Sequence, residues 1–362
     1  MRVGIDAHML GDHSGGNESF YEGILSELVP DVGDEYFLFV NQGVDVAKYI
    51  TRFNIVFFKN RNAAIRNYIE LPGLCTKYNL DVLHTQYYLP FHCSCKTVVT
   101  IHDLSFEHYK NIFTTGEYIK DKLLVPYAAK HADKIVTVSN FSKEDIAKCY
   151  GIDQSKIAVV YNAVSSKFRK LTAEECAKLN IRGRYGIGHD NYFICVSNLQ
   201  PRKNIPNLIK AFRLYKEQGG GTDKLVLVGK KAWMFEEIEK LASEDKDIIL
   251  TEYVPKDDLV ALLNEASGFI YPSIFEGFGI PPLEALSCGT PVAVSDIPVM
   301  REVLGDAAIY FDPEDKEKMA EAMTEICKSS ATDKNDLLSK YLWKSSSSIL
   351  EHLYKKLAGQ ER

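Results

Sequence analysis

The sequence predicts an α/β protein made of two doubly wound, Rossmann-like lobes, and three observations carry that reading. At 362 residues the chain is long enough for two ordinary domains, each with its own core. Short apolar runs alternate with helical stretches along its length, the pattern of parallel strands joined by crossover helices. The stretch 269–296, FIYPSIFEGFGIPPLEALSCGTPVAVSD, reads as one complete strand, glycine turn, helix and strand. Within it Gly277 and Gly279 bracket Phe278 and let the backbone come close to a ligand. Pro281 and Pro282 suit a helix start, and Gly289 a helix stop. Glu276 and Glu284 flank the turn. Two carboxylates around a helix N-terminus suit a ligand carrying diols and phosphate, which describes a nucleotide sugar.

Taken in order, the chain opens with a strand at Arg2–Ile5, and a glycine turn (Gly11, Gly15, Gly16) then feeds a helix, as in a ligand loop. The spacing is neither G-x-G-x-x-G nor a P-loop. Further apolar runs follow at Tyr36–Asn41, Ile55–Phe58, Asp81–His84, Thr97–Ile101, Lys134–Ser139 and Ile157–Tyr161. Ligands of such sheets bind beyond the carboxyl ends of the strands, which singles out His84, His102, Ser139 and Asn162. His102 emerges directly from VVTI, Asp103 behind it suits a turn cap, and the tyrosines beside His84 suit stacking on an acceptor sugar. Residues 165–191 are polar and helix-like, as befits a connection between domains. A second set of strands begins at Tyr192–Val196 and continues at Lys224–Gly229 and Ile248–Tyr253. Arg202 and Lys203 stand just ahead of a helix with Leu208, Ile209 and Phe212 on its apolar face, a combination suited to a diphosphate. Two helices, Lys316–Ser329 and roughly Asp336–Leu357, close the chain, the second holding or adjoining the run Ser345–Ser348.

A formal charge of −6 lacks the basic excess of a nucleic-acid binder. The eight cysteines are scattered without C-x-x-C pairs, Cys93 and Cys95 being the closest two, which argues for reduced thiols and no zinc. Neither a leader pattern nor an apolar run of the ~20 residues needed to span a bilayer is present, so a cytoplasmic protein is expected. Lys59, Arg61 and Arg66 cluster beside Ile65, Ile69 and Leu74, which are spaced along one helix face, and read as a solvated surface helix.

The string EGFGIPPLEALSCGTPVAVSD resembles the signature of the retaining GT-B glycosyltransferases of family 4 (glycosyl transferases group 1), and VTIHDLSF and PRKN are similar to further strings of that family. The resemblance implies two facing Rossmann-like domains with a cleft between them. It implies an acceptor domain over 1–168, a linker over 169–190, a donor domain over 191–335 and a C-terminal helix over 336–362 crossing back to the first domain. It implies transfer of a hexosyl unit, mannosyl or glucosyl, from a GDP- or UDP-linked sugar to a glycan or lipid-linked glycan hydroxyl, in polysaccharide or glycolipid synthesis. Glu276 would meet donor sugar hydroxyls, Glu284 the ribose, and Gly277, Phe278, Gly279 and Ile280 the sugar and diphosphate. Arg202 and Lys203 would neutralise the leaving diphosphate, with Ser197 at the strand end before them. Tyr253 and Val254 would hold the base, Gly15 and Gly16 the phosphate or acceptor, and His102 the sugar and acceptor. His84 and Ser139 are acceptor-side candidates. Peripheral contact of the patch at Lys59, Arg61 and Arg66 with the inner face of a membrane is implied only by this resemblance. With no Asp-x-Asp site and cations already in place, no cofactor or metal is expected. A GT-B nucleotide-sugar epimerase and a non-catalytic sugar-nucleotide-binding protein are the alternatives.

Overall fold

The structure, a computed structural model, describes residues 1–12, 15–230, 235–328 and 335–360. It divides into two compact units, Met1–Ala163 with Tyr341–Arg362, and Val164–Lys340.

The first unit holds seven parallel strands: β1 (Arg2–Asp6), β2 (Glu35–Val40), β3 (Asn54–Phe57), β4 (Val82–Gln86), β5 (Lys96–Thr100), β6 (Lys134–Thr137) and β7 (Ile157–Val159). Their order is β3-β2-β1-β4-β5-β6-β7, so the winding reverses between β1 and β4. Helices cover the sheet: α1 (Gly16–Glu27) after β1, α2 (Ala63–Ile65), a π-helical turn (Arg66–Glu70) and α3 (Leu71–Lys77) after β3, and α4 (Ser105–His108) and α5 (Thr115–His131) after β5. After β6 comes α6 (Asn140–Tyr150). Burial on both faces is why these strands read as near-continuous apolar runs: every residue of β4 is buried, and Leu38, Phe39, Val98, Val99 and Val136 have no solvent contact.

The second unit repeats the plan with six parallel strands: β8 (Tyr192–Val196), β9 (Lys224–Val228), β10 (Ile248–Glu252), β11 (Gly268–Tyr271), β12 (Val292–Ser295) and β13 (Ile309–Phe311). The order is β10-β9-β8-β11-β12-β13, reversing between β8 and β11. The stretch expected as a connection instead belongs to this unit. It holds α7 (Ala173–Leu179), capped by a Thr172–Glu175 box, and α8 (Ile181–Arg184). Arg182 pairs with Glu265, Arg184 with Asp258, and the Leu171 amide donates to Asn264 at 2.8 Å, so both helices are tied to α11 (Lys256–Glu265). α9 (Ile205–Glu217) buries Leu208, Ile209 and Phe212 as its periodicity requires, and packs on α14 (Lys316–Ile326).

The final helix, α16 (Trp343–Leu357), returns to the first unit. Ser347 donates to the Ile24 carbonyl at 2.8 Å, Ser346 donates to the Tyr161 carbonyl at 2.6 Å, and Trp343 lies so close to Gly23 that a side chain there would collide with it. The serine run therefore lies inside the helix and supplies its docking bonds.

Candidate active site

In a doubly wound sheet the loops at the winding reversal diverge and leave a crevice at the carboxyl edge. In the second unit those loops follow β8 and β11, and they carry the residues singled out above. After β8 the chain forms a single 3-10 turn, Pro201–Lys203, and Asn204 adopts a left-handed φ of 57° before α9 begins. The Ile274 amide donates to the Arg202 carbonyl at 3.0 Å, pinning this turn to the loop after β11.

That arrangement buries the Lys203 ammonium, which donates to Glu276 Oε1 and, at 2.8 Å, to the Tyr271 hydroxyl. Tyr271 in turn donates to the same carboxylate oxygen at 3.0 Å. Burial raises the cost of a charged Glu276, but the Lys203 charge, then Arg202, the Lys203 hydrogen bond and Ser273 outweigh it and hold the carboxyl below its usual range. Glu276 is therefore a carboxylate, able only to accept hydrogen bonds, which suits it to hydroxyl donors. Tyr271 was not recognised in the sequence as a site residue; its place as the last residue of β11, just before the glycine turn, was the available signal.

Glu284 lies in α12 (Ile280–Ser287), whose N-cap Gly279 has φ 94°. Phe278 and Ile280 are buried. Because Pro281 and Pro282 lack N–H groups, the amides that this helix start offers come from the Gly279–Ile280 segment and then Leu283. Burial pushes the Glu284 carboxyl up to about 7, against the opposing pull of Lys256. Ser197 follows β8, and its amide donates to the Val228 carbonyl at 2.9 Å. There Gly229 is obligatory: a Cβ would sit 1.7 Å from the Ser197 carbonyl oxygen. Sequence reasoning passed over Gly229, although a glycine ending a strand marks such an approach. Val254 is buried and Tyr253 exposed, both just past β10.

In the first unit His102 is buried beyond β5, its ring edge-on to Phe20 at 5.2 Å. Its Nε2 meets the Gln86 amide nitrogen at 2.5 Å, so Nε2 accepts and Nδ1 carries the proton. Burial pushes its pKa down to about 4, and the ring is neutral. Asp103 accepts from the Ser105 amide at 2.9 Å, the expected turn cap. Gly15, with φ 82°, is the N-cap of α1, and Gly16 is its first residue.

Two acceptor-side expectations are corrected by the geometry. His84 has no solvent contact, and both ring nitrogens are engaged, Nδ1 with the Tyr354 hydroxyl at 2.5 Å and Nε2 with Thr100 Oγ1 at 2.6 Å. It joins β4 and β5 to α16 and has no nitrogen to offer a sugar. Ser139 is equally buried, and its hydroxyl caps α6 by accepting from the Ser142 amide at 3.0 Å. The basic patch is also altered: Lys59 and Arg61 are exposed, with Ile69 69% exposed, but Arg66 points inward and is only 6% exposed.

Among the described residues one group, His108, Asp145 and Cys149 in the first unit, brings three metal-type donors together. The 2.9 Å contacts from His108 Nε2 to both Asp145 oxygens make it an ordinary hydrogen-bonded histidine–carboxylate contact. No described helix is long and apolar enough to cross a membrane.

Fold and site together define a protein with two Rossmann-like units and a charged polar seat at the winding reversal of the second. Residues 24–168 match the family described as Glycosyltransferase Family 4, and residues 178–341 the family described as Glycosyl transferases group 1. The chain belongs to this family of glycosyltransferases. It is 34% identical over 238 residues to the O-antigen chain mannosyltransferase B of Escherichia coli, a match covering 63% of this chain and 60% of that protein. The chain thus spans less than two thirds of that relative's length. The fold is shared with sucrose-phosphate synthase from Thermosynechococcus elongatus (TM-score 0.77, 17% identity, 99% of each chain). It is also shared with HepE of Anabaena, solved in complex with UDP-glucose (TM-score 0.75, 17% identity, 97% of this chain and 98% of that one). The α/β, GT-B fold expected from the sequence is the fold observed.

Proposed function

We propose that this protein is a retaining hexosyltransferase that moves a mannosyl unit, or failing that a glucosyl unit, from a nucleoside-diphospho-sugar to an acceptor hydroxyl without a metal. The observation that carries the reading is the buried Lys203–Tyr271–Glu276 cluster at the β8/β11 reversal. An ionised carboxylate for sugar hydroxyls lies beside two cations for a diphosphate. Arg202 and Lys203 offset the charge that grows on the diphosphate as the glycosyl bond breaks, the kind of electrostatic contribution that dominates many enzymes. Glu276 fixes the donor sugar, Glu284 takes the ribose diol, and the Gly279–Ile280 amides add donors at the helix start. His102, neutral and oriented by Gln86, offers its Nδ1–H to a hydroxyl. The mannosyltransferase relative and the UDP-glucose complex of HepE support this donor class, and the former supports a polysaccharide acceptor. Exposed Ile69 with Lys59 and Arg61 supports peripheral contact with anionic lipid.

The test is incubation with GDP-mannose and UDP-glucose in EDTA, with and without an oligosaccharide acceptor, with released nucleoside diphosphate and anomeric configuration followed by NMR. Release of the diphosphate with an α-linked product supports the reading. Loss of activity in EDTA restored by Mg²⁺ overturns the metal-independent part, an inverted product the retaining part, and interconversion of sugars without an acceptor indicates an epimerase.

A further inference from the structure

The first unit contains a buried cation with an unmet hydrogen-bond donor. Arg66 opens the π-helical turn and is 6% exposed, yet its Nε is enclosed without a hydrogen-bond partner. The next residue, Asn67, is also 6% exposed, and its Oδ1 is likewise without a partner. Desolvating a guanidinium is costly unless an anion compensates, so a fold normally supplies one.

The carboxylates that could serve are occupied. Glu70, four positions along, accepts instead from the Lys59 amide at 2.6 Å and the Asn60 amide at 3.2 Å. Asp6 feels the Arg66 charge, but its Oδ1 accepts from both the amide and the Nδ1 of His8, at 3.3 and 2.8 Å. Arg66 itself rests over the Phe58 ring at 5.4 Å. Phe58 immediately follows β3 and Asp6 ends β1, so the guanidinium stands over the carboxyl edge of this sheet, where ligands of the fold bind. A π-helical turn inside a helix is frequently found at functional sites.

We propose that Arg66 and Asn67 form an anion-recognition site for a phosphate-bearing acceptor, with Arg66 taking the phosphoryl oxygens through its fork and Asn67 Oδ1 accepting from a neighbouring hydroxyl. The planar guanidinium matches two phosphate oxygens at once, and the amide beside it distinguishes a hydroxylated phosphate from a bare one. This assignment rests on the glycosyltransferase reading, since it names the acceptor's chemistry, and it also implies a trade of stability for binding. Without ligand, Arg66 is a liability to the fold, and replacing it should not reduce stability.

The experiment uses the full chain and three probes, inorganic phosphate, glycerol 3-phosphate and GDP or UDP, at constant ionic strength with chloride and glycerol as controls. The arginine Nε–Hε resonance missing from R66K is followed by NMR, and affinities and melting temperatures are measured for the wild type and R66M. The expected result is a saturable shift of that resonance with glycerol 3-phosphate, weaker with inorganic phosphate, and at least a tenfold loss of glycerol 3-phosphate affinity in R66M. The melting temperature should not fall, and the GDP or UDP affinity should be unchanged. An unmoved resonance overturns the proposal, as does a lower melting temperature in R66M, which marks a structural arginine. A resonance that moves with GDP or UDP, with their affinity lost in R66M, assigns the site to the donor's diphosphate and overturns the acceptor assignment. R66M that does not fold counts with a lower melting temperature and overturns the proposal, and folded R66K must also lose glycerol 3-phosphate affinity, because lysine lacks the fork. Failure of GDP and UDP to bind the wild type would refute the proposed function separately, since the Arg66 resonance is read independently of it.

Discussion

Replacing Lys203 by methionine removes the principal partner of a carboxylate that has nowhere to go. The two side chains are 8% and 7% exposed, so the variant strands an ionised Glu276 away from water. Breaking a buried pair from one side typically costs 3–5 kcal/mol; Arg202 and the Tyr271 hydroxyl remain, which places this case near the lower end, about 3 kcal/mol. For a unit of this size that corresponds to a fall of roughly 6–12 °C in melting temperature. The informative variant is K203M/E276Q, in which neither charge is stranded and the introduced side-chain amide can still accept from Tyr271. It should recover at least about 2 kcal/mol relative to K203M, a coupling measured by a double-mutant cycle of melting curves followed by circular dichroism. A K203M protein as stable as the wild type, or a double variant no more stable than K203M, would refute the buried, mutually dependent pair.

Glu284 has the opposite sign. A carboxyl raised from 4.5 to about 7 costs stability as pH rises through that window, by up to about 3 kcal/mol above it, so the melting temperature of E284Q should gain on the wild type between pH 5 and pH 8. If the ionised form holds the ribose, wild-type affinity for GDP or UDP should increase over the same range and that of E284Q should stay flat, as read by calorimetry. Glu276, held below its usual range, contributes stability that is present above its unfolded value and lost on acidification below it; the wild type should show that acid limb in its melting profile, and K203M/E276Q, which has neither charge, should lack it. G229A forces backbone apart at a 1.7 Å contact and should cost about 2 kcal/mol or more by thermal melting, with loss of nucleotide binding. Y354F leaves His84 Nδ1 buried without a partner and should destabilise the first unit by about 1–3 kcal/mol while nucleotide affinity is unchanged.

How much of this was legible in the sequence depends on whether the deciding interaction was local. Apolar runs buried on both faces announced themselves, and the strands expected in 1–161 lie within two residues of those found. β13 was passed over, because Ile309–Phe311 is too short to stand out from its surroundings. Lys203 and Glu276 were picked out from separate motifs, but their pairing spans 73 positions and appears only once the β8 and β11 loops are brought together. The same distance effect hid Tyr271 and Gly229. His84 was misread for a related reason: a strand-end histidine looks available until Tyr354, 270 positions later, closes over it. Arg66 was grouped with Lys59 and Arg61 in one basic patch because they are close in sequence, whereas it opens the π-helical turn and is buried.

Whether the donor binds at the Lys203–Glu276 cluster is tested most directly by titration of GDP and UDP into the wild type and into K203M/E276Q at matched melting temperature. The expected result is saturable binding of at least one nucleotide to the wild type and a loss of tenfold or more in the folded double variant, equivalent to about 1.4 kcal/mol or more. Nucleotide affinity retained within a factor of two in that variant would contradict it.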